Sequence, residues 1–498
     1  METAPPAARL HAWLRALPPA QLNALSRRYA HAAAEGGATI RKPDGQVQPI
    51  PPLLTPEVLD EAQVAQMEEN AHALVEGLSR LTAWLMTSER GATLKRRLFP
   101  AFGALEAEAL DKTWREAERL VTARVDYLVD EGGTPRALEV NATIPAMQGY
   151  SDIVADAFVR EVARERGASP LLAAALLDAN GRNADHLLDS LRAHDALLGG
   201  PESGPRRIAI VARAGDSQLG ELGYLAARWT ALGCETRIAT PEDARLDDKG
   251  NLLVAGVHPD LIYRHVFARR LDPASDFARA LLDPRRHRIL NPIASHLEIK
   301  AMLGLLSQAA DEERFAEEIG LEDFHVTEVR RSVPWTRLLA PGPTRGPSGE
   351  PIADLAATVA AEPDRFVIKR SWDYGGRGVF LGMDHDEAAA RRAADVLGET
   401  VPIAWRDLVA AGARDEKDAW VAQALVPAHP RHHLVAGDTA EWRDLYVDLS
   451  VYTNLGVSVR PRGGVSRAAL RRIVNLQGGG GLAPLIRAEV LDRLLGGV

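Results

Sequence analysis

Four polar side chains in the stretch Ala123 to Asn141, ARVDYLVDEGGTPRALEVN, have the types and spacing to hold a charged ligand. Arg124 and Asp126 stand two residues apart before the turn signal Asp130-Glu131-Gly132-Gly133-Thr134, and Glu139 and Asn141 stand two apart after it. Alternating apolar and polar residues on both sides predict a β-hairpin. If residues 130 and 135 pair across the turn, Asp126 faces Glu139 and Arg124 faces Asn141. The period of two then gathers these four on one surface and Val125, Tyr127, Leu138 and Val140 on the other, which suits a core. Opposed carboxylates repel, and a divalent cation between them removes the conflict. Mg²⁺ takes hard oxygen ligands and combines one or two carboxylates with phosphate oxygens and water. Asp126, Glu139 and Asn141 are therefore candidate metal ligands, and Arg124 is a candidate for steadying a phosphoryl group. An exposed polar face on an edge hairpin has the same pattern. If the residues do hold a metal, alanine at Asp126 or Glu139 is expected to abolish turnover and leave the fold intact.

A second chemical signal lies at 365–382, RFVIKRSWDYGGRGVFLG. An apolar strand ends on Lys369, a turn follows at Gly375, Gly376 and Gly378, and a second apolar strand leaves it. Glycines let backbone N–H groups approach phosphate oxygens closely, and a lysine neutralises them. A plain hairpin with a surface lysine fits as well. Lysine usage draws attention to the position, because only seven of the 59 basic residues are lysine: Lys42, Lys95, Lys112, Lys249, Lys300, Lys369 and Lys417. A compact point charge is what lysine supplies and arginine does not.

The elements that must carry these groups read as an α/β chain. Residues 8–125 are mainly helical in pattern, interrupted by a proline-rich loop between Gly45 and Pro56. Helical patterns return at 152–198, and Gly199 to Pro205 reads as a linker. Arg207 to Ala212, Glu235 to Ala239 and Asp260 to His265 read as strands, with a helix at Leu219 to Leu232, which predicts a parallel sheet. Strands are further expected at Ala419 to Val426, 445–452 and 455–460. A chain of 498 residues needs more than one core. Its net charge of -9 argues against a nucleic-acid binder. Its apolar runs are too short for a membrane helix, and a single cysteine excludes an intramolecular disulfide. The expected setting is cytoplasmic.

The hairpin pairs Arg-x-Asp with Glu-x-Asn across an acidic, glycine-containing turn, and so resembles the metal-binding hairpin of ATP-grasp ligases, such as the D-alanine–D-alanine ligase and glutathionylspermidine synthetase families. The lysine and glycine unit at 365–382 resembles the nucleotide segment of the same fold. The resemblance implies that Lys300, in LEIKAML, and Lys369 contact phosphates, and that the loop 375–378 folds over them. It implies that Gln423 and Leu425, in VAQALV, bind the adenine edge. It also implies that Arg460, Arg462, Asn475 and the run Gly478 to Gly481 form the substrate side, with Arg460 as a catalytic arginine. The acidic residue that holds ribose in many members is missing after the hinge, where no carboxylate occurs before Asp438.

Order along the chain is unusual for such a fold, since the hairpin precedes both lysines. That order resembles circularly permuted members. The implied architecture is an N-terminal helical region (1–115), the metal hairpin and helices (116–200), an inserted parallel α/β substrate domain (205–295) and the nucleotide-binding lobes (296–498). The implied activity is ATP- and Mg²⁺-dependent joining of a small-molecule carboxylate to an amine through an acyl phosphate. Phosphoryl transfer to another acceptor, or a catalytically silent scaffold, are the alternatives. His429, His432 and His433 sit among prolines in a loop and are read as solvated. Cys234 is read as a small core residue and Asp152 as a helix cap.

Overall fold

The hairpin forms where its sequence pattern puts it. A computed structural model describes residues 4–42, 44–373, 375–460, 463–476 and 479–496. In it, Thr122–Val129 and Pro135–Asn141 pair antiparallel, with Arg124 opposite Asn141 and Asp126 opposite Glu139. The turn closes on Asp130, whose Oδ1 accepts from the amides of Gly132 and Thr134 at 2.9 Å each. Between these features the register slips by one. Tyr127 faces Ala137 and Val129 faces Pro135, leaving Leu138 as an extra residue in a β-bulge. Val125, Tyr127 and Val140 join the core as expected. Leu138 does not: the bulge turns it to the other face, beside Leu128, Val426 and Ala428.

The hairpin is one side of a six-stranded antiparallel sheet. Thr122–Val129 pairs with the long strand Glu441–Asn454, which pairs in turn with Gly464–Ala469 and then Gly481–Ala483; Arg431–Val435 covers the start of the long strand. The strand expected at 455–460 is instead an irregular loop. The chain leaves the long strand at Asn454, whose side chain bonds Thr122, Ser190 and the Val459 carbonyl, and resumes pairing only at Gly464. A second, four-stranded antiparallel sheet runs Thr336–Leu338, Trp420–Ala424, Phe366–Arg370, Val379–Leu381.

The expected parallel sheet is present, in the order Ile289–Leu290, Leu261–His265, Arg207–Ala212, Glu235–Ala239. Strand alternation shows in its packing. Ile208 and Ile210 meet Leu225 and Trp229 on one face, while Ala209 and Val211 meet Phe277 and Leu281 on the other.

The N-terminal helices are built into the rest of the chain. Glu61–Thr87 starts on an Asp60–Gln63 capping box. Its Leu74, Leu78 and Leu81 share a core with Val125 of the hairpin and with Met302 and Leu306 of the helix Lys300–Asp311. Gly77 makes this approach possible, because a Cβ there would lie 3.1 Å from the Leu306 side chain. Pro6–Ala16 and Pro19–Glu35 pack against Gln148–Glu165 and the terminal helix Ala488–Gly496 in a second core. Among the described residues no helix is long and apolar enough to cross a membrane.

Candidate active site

The two antiparallel sheets face each other across a cleft of about 1080 Å³. The six-stranded sheet contributes Arg124, Asp126, Glu139 and Asn141, and the four-stranded sheet contributes Lys369, Gln423 and, through its turn, Gly375 and Gly376. Residues separated by some 250 positions in the sequence thus share one cavity, as the sequence reading expected.

Asp126 is the centre of its charge. Arg124 grips it with two bonds, Nε to Oδ1 at 2.6 Å and Nη2 to Oδ2 at 3.0 Å. Arg467 donates to Oδ2 at 2.9 Å, and the Asn141 amide at 3.2 Å. Burial alone would raise the Asp126 carboxyl, but the guanidiniums of Arg124 and Arg467 outweigh it and hold it well below the ordinary carboxylate range. Arg467 is paired in turn with Asp448, which lies directly opposite it in the sheet. Burial, together with the nearby Asp126 charge, keeps Asp448 above its usual range in spite of Arg467.

Glu139 is freer. Its side chain is 30% exposed and lies 3.6 Å from Lys300 Nζ, which also donates to the Asp373 carbonyl at 2.7 Å. Lys369 is buried behind it and donates to the Leu138 carbonyl at 3.2 Å. Burial lowers the Lys369 ammonium to about 8, with Lys300 adding to the effect and Glu139 opposing it. The bulge at Leu138 is what leaves that carbonyl unpaired in the ladder and able to meet the lysine.

Around these charges the turn glycines have the left-handed backbone that favours glycine, with φ +65° at Gly375 and +71° at Gly376. Asn475 donates to the Gly375 carbonyl. Gly378 closes the hairpin through its carbonyl, 2.8 Å from the Arg370 amide, and lies off the cavity lining. Gln423 donates to Thr336 Oγ at 2.9 Å, and the Leu425 amide is taken by the Arg365 carbonyl at 2.9 Å. The Leu425 amide is therefore already engaged within the protein. Arg460 is exposed on the loop that replaced the expected strand, and it lines no part of this cleft. Arg467, on the strand that does form, occupies the site instead. Arg462 and Gly478 lie outside the described residues.

Among the described residues no group of three or more His, Cys, Asp or Glu side chains could hold a metal ion. Asp126 faces Glu139 across the hairpin, and both of its oxygens accept from arginine. Glu139 and Asn141 keep the oxygen donors that a hard cation bridging to phosphate oxygens would use.

A second cleft of about 960 Å³ adjoins the first and shares Arg124, Arg467, Gly375 and Asn475 with it. Arg213, Asp216, Gln218 and His265 form its far wall, at the carboxyl ends of Arg207–Ala212 and Leu261–His265. Open parallel sheets bind ligands at that edge. His265 lies 3.3 Å from Gln218 Oε1, and burial pushes it down to about 4 although Asp216 opposes. None of these wall residues carries a sequence motif; only the strand ends could have pointed to them. Two of the residues set aside differ from their reading: His432 and His433 stand on the strand Arg431–Val435 rather than in a solvated loop, with His432 stacked on Trp442 and His433 buried 3.0 Å from Thr55 Oγ1. Cys234 is buried with its Sγ on the Pro205 carbonyl, and His429 is exposed beside Glu131. Asp152 does cap a helix, though a later one, accepting from the amides of Asn183 and Ala184.

The fold is of a mixed α/β kind shared with a solved structure. A glutathione synthetase-like effector from Globodera pallida, solved in its apo form, superposes with a TM-score of 0.57 at 14% identity, covering 95% of this chain and 98% of that one. A candidate gamma-glutamylcysteine synthetase from Methylobacillus flagellatus reaches a TM-score of only 0.36 at 13% identity, over 79% of this chain and 84% of its own, and carries no weight. No family model and no curated protein sequence matches the chain.

Proposed function

We propose that the chain is an ATP-dependent carboxylate–amine ligase of the ATP-grasp type, circularly permuted, with its nucleotide in the first cleft and its carboxylate substrate in the second. The observation that carries this reading is the meeting of the two clefts at Arg124 and Arg467. An acyl group in one and a phosphate in the other would come together under two guanidiniums. Lys369 and Lys300 lie beside Glu139 and neutralise the phosphates, while the turn at Gly375 and Gly376 offers backbone amides. Arg124 and Arg467, fixed by Asp126 and Asp448, stabilise charge on the phosphoryl group as it passes to the carboxylate oxygen. ADP leaves, the amine attacks the acyl carbon, and phosphate departs with the bond it gained. Glu139 and Asn141 would hold Mg²⁺, which would supply positive charge against the phosphates.

The test is a calorimetric titration of ATP with and without Mg²⁺ into the wild type and Lys369→Ala, followed by ADP release with pairs of carboxylates and amines. Metal-dependent binding lost in the variant, with ADP formed only when a carboxylate is present, is the expected result. A phosphorylated product with no amide would make the protein a phosphotransferase. No nucleotide binding under any condition would leave it a scaffold.

A further inference from the structure

A third cleft, of about 1090 Å³, lies away from the other two. Its charge is one-sided. Arg90, Arg97 and Arg337 line it, and no Asp or Glu does among the described residues, in a chain of net charge -9. Its floor is apolar, formed by Leu94, Leu305 and Phe315. Two of the arginines are held in place by carboxylates outside the lining. Arg337 is buried, with Nη2 on Asp311 at 2.7 Å, Nη1 on the Thr336 carbonyl at 2.9 Å and its guanidinium 4.9 Å from the Trp335 ring. Arg90 is anchored by Glu318 at 2.7 Å and stacks 5.0 Å from the Phe315 ring centroid. Arg97 is exposed at the rim.

We propose that this cleft is a second binding site, independent of the carboxylate–lysine cavity, for a small organic anion that carries an aromatic or aliphatic body. The apolar floor supplies the burial that gives affinity, and the arginines supply the forked donors that suit a carboxylate, sulfonate or phosphate head. Stacked guanidiniums add a face on which a planar ring can lie. A plain inorganic anion would leave the floor uncovered, and an uncharged ligand would leave Arg97 at the rim without a counter-charge. The occupant therefore needs both parts.

The probe is 1-anilinonaphthalene-8-sulfonate, an aromatic sulfonate, titrated by fluorescence and calorimetry into the whole chain at low ionic strength. One site is expected. It should persist with saturating MgATP and weaken at least about tenfold in Arg97→Glu, the loss of one charge-assisted contact. Arg90→Gln should weaken it as well. Arg97 is exposed at the rim, so Arg97→Glu should melt with the wild type, which separates lost binding from lost fold. Equal affinity in both variants, full displacement by MgATP, or no binding to the wild type would each overturn the proposal. Inorganic sulfate binding as tightly as the aromatic probe would overturn it too, by removing the role of the floor.

Discussion

At the scale of single residues, Asp126 and Glu139 face each other across one hairpin yet do different work. Asp126 is buried between Arg124 and Arg467, so removing it leaves the buried Arg124 without its carboxylate, while Arg467 keeps Asp448. Breaking a buried pair in this way costs about 3–5 kcal/mol. Asp126→Ala is therefore expected to lose that much stability in denaturant unfolding. A loss below about 1 kcal/mol would show that the arginines do not depend on it. Glu139 is partly exposed and paired only loosely with Lys300. Glu139→Gln should melt with the wild type and lose ATP turnover by about a hundredfold or more, the effect of removing one charge-stabilising group. Lys369 gives a pH signature. The unfolded chain keeps its proton up to about 10.5 and the folded chain only to about 8, so the penalty is fully present below pH 8 and stability rises with pH between these values. Phosphate favours the charged form. ATP binding near pH 8 should then take up a fraction of a proton, read as a binding enthalpy that changes with the buffer's ionisation enthalpy. Lys369→Met should abolish that dependence.

At the scale of elements, the turn at Gly375 and Gly376 is tightly constrained at the edge of the first cleft. A Cβ at Gly376 would lie 2.6 Å from the Ile473 side chain, and φ there is +71°. Strain of about 1–2 kcal/mol from the left-handed backbone, with Ile473 displaced, should raise KM for ATP about tenfold in Gly376→Ala. The melting temperature should stay near the wild-type value, because the loop adds little to any core; an unchanged KM would mean the turn does not meet the nucleotide. The hairpin that carries Arg124 and Asp126 was legible from its turn chemistry and alternation, although the turn pairs Val129 rather than Asp130 with Pro135 and a bulge brings Glu139 opposite Asp126. The bulge at Leu138 was not, since what uses its freed carbonyl is Lys369, 231 residues away. Arg467 was missed for a related reason. Its strand pairs with Glu441–Asn454 after an irregular loop rather than a tight turn, so nothing local sets which arginine faces Asp126. Arg460 was chosen from a strand that does not form.

At the scale of the whole molecule, the carboxylate hairpin must be held against the parallel sheet if the two clefts are to meet. Periodicity identified the parallel strands and most helices, but it could not show where the N-terminal helices dock, because their partners lie hundreds of residues downstream. The same holds for the clamp between hairpin and sheet. Asn291, fully buried just beyond Ile289–Leu290, reaches both outer ends of the hairpin. Its amide nitrogen donates to the carbonyls of Thr122 at 2.7 Å and Ala142 at 2.8 Å, and its side-chain oxygen accepts from the Thr122 amide at 3.0 Å. Arg264, also buried, donates to the Asn291 carbonyl at 2.9 Å and ties the clamp to the central strand Leu261–His265. No water reaches groups so enclosed, so Asn291→Ala leaves three backbone groups without partners. At about 1 kcal/mol for each bond, the variant should lose about 3 kcal/mol in denaturant unfolding. Turnover should fall further than stability explains, because Arg124 and His265 would no longer be fixed across the shared boundary of the two clefts. A variant that loses stability but keeps kcat would show that the hairpin is positioned by the antiparallel sheets alone.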